Sequence, residues 1–446
     1  MSLEPIAADR MVELARAGRL EEFVREAGGL AAADLADVLA ALDEDERLAV
    51  VRVLPPEVSG EALIEMPEGA HPEDTLAALD PEQAADIVEE LEDDDAADLL
   101  GDLEPEEQER ILREVEDRGD VERLLRYDEE TAGGLMTAAM LTVREADTIG
   151  GALETIRAQV EGLELEDVYQ AFVVDDAGRL RGVVPFRALV VNPAARAVRD
   201  VMEEPAATAT PDLDQEAVAR LMARYNLASM AVVDAGGRLL GRVTFDDVID
   251  VVEAETTEDL LRFGGVSPDE QLGGGWREAA ASRRPWLVLN LITALAAASV
   301  VFLFEDRIAQ LALLAVFMPV VAGMGGNAGT QALAVTIRRL ALGQLPAAGL
   351  PRVVLKEMTV GLANGLLAAV LAGSVAGLVG GAPFGLVVGT AMAGNLFVAG
   401  FAGAFVPILL SRLGVDPAVA SSVFVTTFTD LCGFSLLLGL AGVLLL

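Results

Sequence analysis

Asp430 is the residue whose position asks most for a chemical explanation. It lies near the middle of an apolar run that starts at Pro417 and ends at Leu446. In a membrane helix that places it near the bilayer midplane, where a carboxylate costs roughly 2.5 to 3.5 kcal/mol. Such a group serves either as a ligand for a cation or proton, or as a structural Asp hydrogen-bonded between helices. Thr426, Thr427 and Thr429 beside it add oxygen atoms, and no His or Met–Cys cluster accompanies them. An all-oxygen set suits a hard cation rather than a soft or transition metal. A second polar stretch, Gly323-Met324-Gly325-Gly326-Asn327-Ala328-Gly329-Thr330-Gln331, follows Pro319 in another apolar run. Its glycines allow close packing, or an opened backbone whose carbonyls face a polar cavity. Asn327 and Gln331 are four apart and share a helical face, which favours a cavity lining.

The rest of the composition narrows the chemistry. One histidine, His71, and one cysteine, Cys432, leave no material for a Cys/His zinc cluster, a disulfide framework or a Ser-His-Asp triad. No nucleophile–base pair or phosphate loop argues for an enzyme. The 446 residues carry a net charge of −40 yet are 52% hydrophobic, a combination that one uniform globule does not have. Residues 1–275 hold 66 acids against 23 bases, whereas 276–446 hold 6 acids and 9 bases. The acidic body repels polyanions, so nucleic acid is excluded as a partner. The start, MSLEPIAADRMVELARAG, lacks the basic flank and apolar stretch of a signal peptide, and residues 1–275 are expected in the cytosol.

The elements that must position these residues follow from periodicity. Leu42, Leu54 and Met66 are evenly spaced and, after one slip, Leu79, Leu91, Leu103 and Val115 continue at the same spacing. Asp80-Pro81-Glu82 shows the unit: Asp as a helix cap, Pro in the first turn, Glu complementing the dipole. Helices of about two turns are unstable alone, so these must stack into an all-α solenoid with leucines inward and acids outward. A longer repeat follows, in which Val173–Val184 recurs downstream as Val232–Val243. Each copy reads as strand, glycine turn, strand and helix, preceded by Met136 or Met202, an extended stretch and a helix. From Asp246 to about Arg262 a connecting helix ends at Gly264-Gly265.

Five apolar runs complete the chain, at about 286–304, 308–337, 353–380, 384–410 and 417–446, each long enough to span a membrane. With the amino terminus inside, Arg283, Arg284, Arg338, Arg339, Arg352, Lys356 and Arg412 fall on the cytosolic side, and the C-terminus outside. Asp430 reads as the one ionisable residue of this half that cannot reach an interface.

The doubled β-α-β-β-α pattern resembles a tandem pair of cystathionine-β-synthase (CBS) domains, regulatory modules that often bind adenine nucleotides. In that family a Thr/Ser-x-x-Asp after the second strand commonly holds the ribose. Thr244-Phe245-Asp246-Asp247 fits it, and Pro185-Phe186-Arg187-Ala188 in the first copy does not. A nucleotide such as ATP at Thr244 and Asp247, and a purely structural pair, both stand as readings.

The resemblance then extends over the whole chain. Gly325–Gln331, Ser411-Arg412-Leu413-Gly414-Val415-Asp416-Pro417, Thr429-Asp430, Ala132–Thr137 and Asp250–Asp259 are similar to stretches of the MgtE family of magnesium channels. The domains implied are an acidic helical-repeat N domain (1–130), the CBS pair (131–252), a linking helix and connector (253–275) and a five-helix pore domain (276–446). The family implies a homodimer in the cytoplasmic membrane whose last and second membrane helices line a pore on the two-fold axis. Asp430 matches the pore carboxylate, with Gly325, Gly326, Asn327, Thr330, Gln331 and Thr426 lining the path. Cytosolic acids that share Mg2+ ions and hold the gate closed map onto Asp94, Asp98, Asp214, Glu216, Asp247, Asp250, Glu255, Glu258, Asp259 and Asp416. Asn226 stands where family members can carry an acid, which implies a weaker sensor ion there.

Elementary physics leads the same way. Mg2+ holds its waters tightly and is usually bound through one or two carboxylates, so facing Asp430 side chains would select a hydrated divalent ion. Acids on facing domains repel each other until divalent ions bridge them, which makes a two-state sensor. Two alternatives compete: a proton- or sodium-coupled secondary transporter, and a membrane-tethered nucleotide sensor. The first lacks a second membrane charge and a visible inverted repeat; the second leaves Asp430 without a purpose.

Overall fold

A computed structural model describes residues 5–116, 118–160, 169–267, 270, 275–342, 349–415, 417 and 421–446. The chain separates into two compact units, Met1–Ala254 and Glu255–Leu446.

Among the described residues, the first unit opens with ten short helices: α1 (Pro5–Arg16), α2 (Leu20–Ala27), α3 (Ala32–Ala40), α4 (Glu44–Val51), α5 (Pro56–Ile64), α6 (Pro72–Ala77), α7 (Pro81–Glu89), α8 (Asp93–Gly101), α9 (Pro105–Leu112) and α10 (Val121–Leu124). From α3 onward each helix packs on the next but one, α3 on α5 on α7 on α9, and α4 on α6 on α8. The leucine period is this alternation: Leu42, Leu54, Met66, Leu79, Leu103 and Val115 follow the ends of successive helices and are buried, while Leu91 is only partly so. The slip after Met66 has a local cause. A 3-10 turn at Glu68–Ala70 is followed by His71 in the left-handed conformation at φ 51°, which absorbs the extra residue. Pro81 opens α7 as expected, but the Asp80 side chain makes no cap hydrogen bond. The reciprocal cap belongs to Asp43, which accepts from the Glu46 N–H at 2.8 Å while Glu46 accepts from the Asp43 N–H at 3.2 Å.

Two three-stranded sheets follow. In the first, β1 (Thr142–Arg144), α11 (Ile149–Val160), β2 (Gln170–Val174), β3 (Leu180–Pro185) and α12 (Phe186–Val191) place β1 parallel and β3 antiparallel to β2. The second repeats this with β4 (Thr208–Ala209), α13 (Gln215–Tyr225), β5 (Ser229–Val233), β6 (Leu239–Thr244) and α14 (Phe245–Gly264). Both hairpins turn at a glycine with positive φ, Gly178 and Gly237, after an Asp whose carboxylate accepts the following backbone N–H groups. The helix that closes the second repeat and the expected connecting helix are one element, since α14 has no break at residue 252.

In the second unit, α15 (Trp276–Leu303), α17 (Leu313–Ala341), α18 (Leu350–Gly380), α19 (Ala382–Arg412) and α20 (Ser421–Leu444) are long and apolar enough to cross a membrane. The expected second run is displaced: residues 308–310 belong to a short helix, α16 (Glu305–Gln310), and the span begins at Leu313. Helix α19 is central, packing on α17, α18 and α20. Its core includes Phe384, Val387, Val388, Ala391 and Leu396. Helix α17 runs unbroken through Gly323–Gln331, so the backbone opening admitted from the glycines does not occur. Those glycines serve close packing instead. A Cβ at Gly329 would lie 2.6 Å from Val425 on α20, and one at Gly403 of α19 would lie 2.5 Å from the Gly329 carbonyl.

Candidate functional sites

The first unit gathers carboxylates from two domains. Helix α8 carries Asp94, Asp95 and Asp98, and the first turn of α14 carries Asp246 and Asp247. Asp94 is buried at 6% exposure, contrary to the outward placement expected of solenoid acids, and its Oδ1 has no hydrogen-bond partner. Burial first and the Asp247 charge second push its carboxyl well above the ordinary range. Asp95 is pushed up to about 7 by burial, then by Asp247 and Glu92. Asp98, although solvent reaches it, is pushed up to about 8 by desolvation, then by Asp95, Glu129 and Asp247. Asp247 is raised too, chiefly by desolvation, although it accepts from the Thr244 N–H at 3.2 Å and from the Thr244 hydroxyl. Like charges in a desolvated pocket raise one another's pKa, and a divalent cation or protons relieve the repulsion. Asp95 belongs to this group although no sequence signal distinguishes it within Asp93-Asp94-Asp95.

The other expected sensor acids have more local roles. Asp214 caps α13, accepting from the Ala217 N–H at 3.2 Å, and Glu216 pairs with Arg220. Asp250 is exposed and shifted up by partial desolvation, then by Asp246 and Glu253. Glu255, Glu258 and Asp259 lie on the later turns of α14, with Glu258 paired to Arg262. Asp416 lies outside the described residues. Asn226 holds the left-handed position that ends α13, at φ 52°, a conformation Asn adopts more readily than most residues. Thr244 is buried and its hydroxyl donates to Asp247.

In the second unit Asn327 and Gln331 are exposed on α17, Gly326 and Thr330 are half-buried, and Thr426 is exposed on α20. A Cβ at Gly326 would reach the Thr426 methyl at 3.9 Å, which puts these residues on neighbouring faces. Gly325 is buried against Asn395 and presents no open surface. The three threonine hydroxyls donate to α20 carbonyls; Thr429 is fully buried, Thr427 half-buried and Thr426 exposed. Asp430 is half-buried and lines a cavity of about 750 Å3 with Glu305, Ala297, Val301 and Phe434.

Glu357 and Asn395 are buried polar residues of the second unit that stand outside the set expected from the sequence. Glu357, seven residues into α18, is 6% exposed; its Oε1 lies 3.5 Å from the Lys356 ammonium and makes no hydrogen bond. Helix α18 thus carries a buried carboxylate near its first turns, beside an exposed lysine. Asn395 of α19 is fully buried between α17 and α20.

Comparison with known proteins accounts for this layout. The family model described as a divalent cation transporter, MgtE, matches residues 318–440; the MgtE intracellular N domain matches 30–130; and a CBS domain matches 198–254. A magnesium transporter MgtE of Thermus thermophilus is 39% identical over 330 residues, 74% of this chain and 73% of that protein. The chain belongs to the MgtE family. An Enterococcus faecalis MgtE magnesium transporter is 35% identical over 71% of this chain and 69% of its own length. Among solved structures, the cytosolic domain of the Mg2+ channel MgtE in complex with ATP aligns with a TM-score of 0.51 at 34% identity, covering 55% of this chain and 99% of that one. MgtE membership makes the acidic helical body and CBS pair the cytosolic part of a membrane transporter, and the five apolar helices its transport domain.

Proposed function

We propose that this chain is a Mg2+-selective channel of the cytoplasmic membrane, importing Mg2+ through a homodimeric pore that its cytosolic acids close when cytosolic Mg2+ is high. The observation that carries the proposal is the open polar face of the second unit. Asn327, Gln331 and Thr426 are exposed, and Asp430 half-exposed, on helices long and apolar enough to lie in lipid. Polar groups at that depth need protein or water opposite them, not hydrocarbon. A second copy of the same face across a two-fold axis provides both, with paired Asp430 carboxylates selecting a hydrated divalent ion. The domain boundaries at 130, 252 and 275 and an external C-terminus belong to the same reading.

The acids of α8 and α14 form the best supported part of the sensor. Their raised carboxyls store repulsion between the N domain and the second CBS domain, which Mg2+ removes. The related cytosolic domain solved with ATP supports a second ligand, an adenine nucleotide, at Thr244 and Asp247.

Glu357 favours one competing reading. A proton-coupled transporter needs a second membrane carboxylate, and Glu357 supplies one. Uptake into proteoliposomes separates the two. The channel reading expects Mg2+ uptake that persists without a proton or sodium gradient and is abolished by Asp430→Asn in protein that still inserts. Unchanged uptake in that variant would remove the pore assignment.

A further inference from the structure

Among the described residues of the second unit, Asn395 is the polar side chain on which α17, α19 and α20 converge. Its Nδ2 donates to the Val321 carbonyl of α17 at 2.9 Å. In a regular helix that carbonyl also accepts the N–H of Gly325, four residues on. The amide therefore enters the hydrogen-bond ladder of α17 at the start of its polar stretch. Space for it comes from two glycines. A Cβ at Gly325 would collide with the Asn395 amide, and a Cβ at Gly433 of α20 would stand 2.7 Å from Nδ2 and 3.3 Å from Oδ1. Gly433 is three residues after Asp430, about one turn, and Gly325 is two before Asn327. One side chain thus spaces the helix bearing Asp430 from the helix bearing Asn327 and Gln331.

The amide orientation is fixed by chemistry, because Oδ1 facing the Val321 carbonyl would oppose two acceptors. Oδ1 is left buried with no hydrogen-bond partner. Leucine would fill similar volume without that unsatisfied atom, so the amide is a poor choice for packing alone. Its value is in holding position.

We infer that Asn395 is a positioning residue for ion selection: it sets the spacing between the Asp430 turn of α20 and the Asn327 face of α17, and through that spacing the preference for Mg2+ over larger divalent ions. The inference rests on the proposed pore. Groups that hold a ligand from behind typically change metal affinity or activity by roughly 10- to 100-fold when removed, and a filter whose walls are freed loses discrimination between ions of different size.

The test uses the full chain in proteoliposomes with a Mg2+ indicator inside and Ca2+ as competitor. Asn395→Leu removes the amide at similar volume, and Gly433→Ala displaces it while leaving Asn395 in the sequence. Both are expected to lower the Mg2+/Ca2+ preference by about 10-fold, with melting in detergent close to the parent and Mg2+ flux still measurable. A purely structural role would lower both ions' fluxes together, in step with the loss of folded protein, and that outcome overturns the inference. An unchanged preference in either folded variant overturns it as well. Asp430→Asn run in parallel separates the claims: if Asp430→Asn keeps wild-type uptake, the pore reading fails; if it loses uptake while Asn395→Leu keeps its preference, only the role of Asn395 fails.

Discussion

Protons and Mg2+ should compete for the carboxylates between α8 and α14, and the structure sets the scale. Asp95 and Asp98 are held at about 7 and about 8, against an ordinary carboxylate value of 3.8. A carboxyl must lose its proton to ligate a metal, so binding weakens as pH falls through these values. Between pH 8 and pH 6, proton competition alone weakens Mg2+ binding by roughly 10-fold through Asp95 and by a few tens-fold through Asp98. Because the two titrate together and water screens Asp98, the combined change is about 10- to 100-fold rather than their product. At pH 7 roughly one to two protons leave for each ion bound. The sign without metal is the opposite. Folding raises these pKa values, so the packing of these acids loses stability as pH climbs from about 4 through about 8, and bound Mg2+ would restore what the lost protons supplied. Calorimetric titration of the full chain in detergent, at pH 6, 7 and 8 and in two buffers of different ionisation enthalpy, measures affinity and proton release together. Asp95→Asn with Asp98→Asn, in the same titration, should abolish most of the pH dependence. Affinities that agree within about twofold across pH 6 to 8, with no proton release, would refute the reasoning.

Two further outcomes follow from the packing and from α14. Gly403→Val would drive a side chain into the Gly329 carbonyl and Ala332, so melting in detergent should reveal destabilisation of about 1–3 kcal/mol; an unchanged midpoint would show that α17 and α19 part without cost. Asp250→Ala with Glu258→Ala should leave uptake active at cytosolic Mg2+ levels that close the parent, whereas Glu106→Ala with Glu107→Ala, in the first turn of α9, should behave as the parent; closure of the first pair at the parent's concentration would remove α14 from the gate.

Periodic features are readable in the residues, and features set by docking are not. An evenly repeated leucine announces a stack because each must be buried at the end of its helix, and a duplicated strand-turn-strand stretch announces two equal sheets because the same glycine turn recurs. Acids give no such signal. Asp93, Asp94 and Asp95 look equivalent along the chain, and only the folded structure buries Asp94 and brings Asp94 and Asp95 under the charge of Asp247. Glu357 is hidden by its neighbour, since Lys356 beside it reads as a loop base at the edge of an apolar run. Asn395 is hidden by its solitude, since one amide in a long apolar helix carries no periodicity. The glycines of α17 are plain in the sequence but ambiguous in meaning: glycine number does not separate an opened backbone from a tight crossing, whereas contact with Val425 and Gly403 does.

Helix α14 also has a mechanical consequence. No glycine or proline interrupts it between Phe245 and Arg262, although the compact units divide at Ala254 and Glu255. Its 20 residues make a rod roughly 30 Å long. By length alone, a rod of that size turned by about 5° about one end would carry its other end through roughly 2 to 3 Å. That displacement is comparable to the radius of a hydrated ion's inner shell. Within the helix itself, a displacement of the first turn meets no glycine or proline hinge before Arg262 that could absorb it.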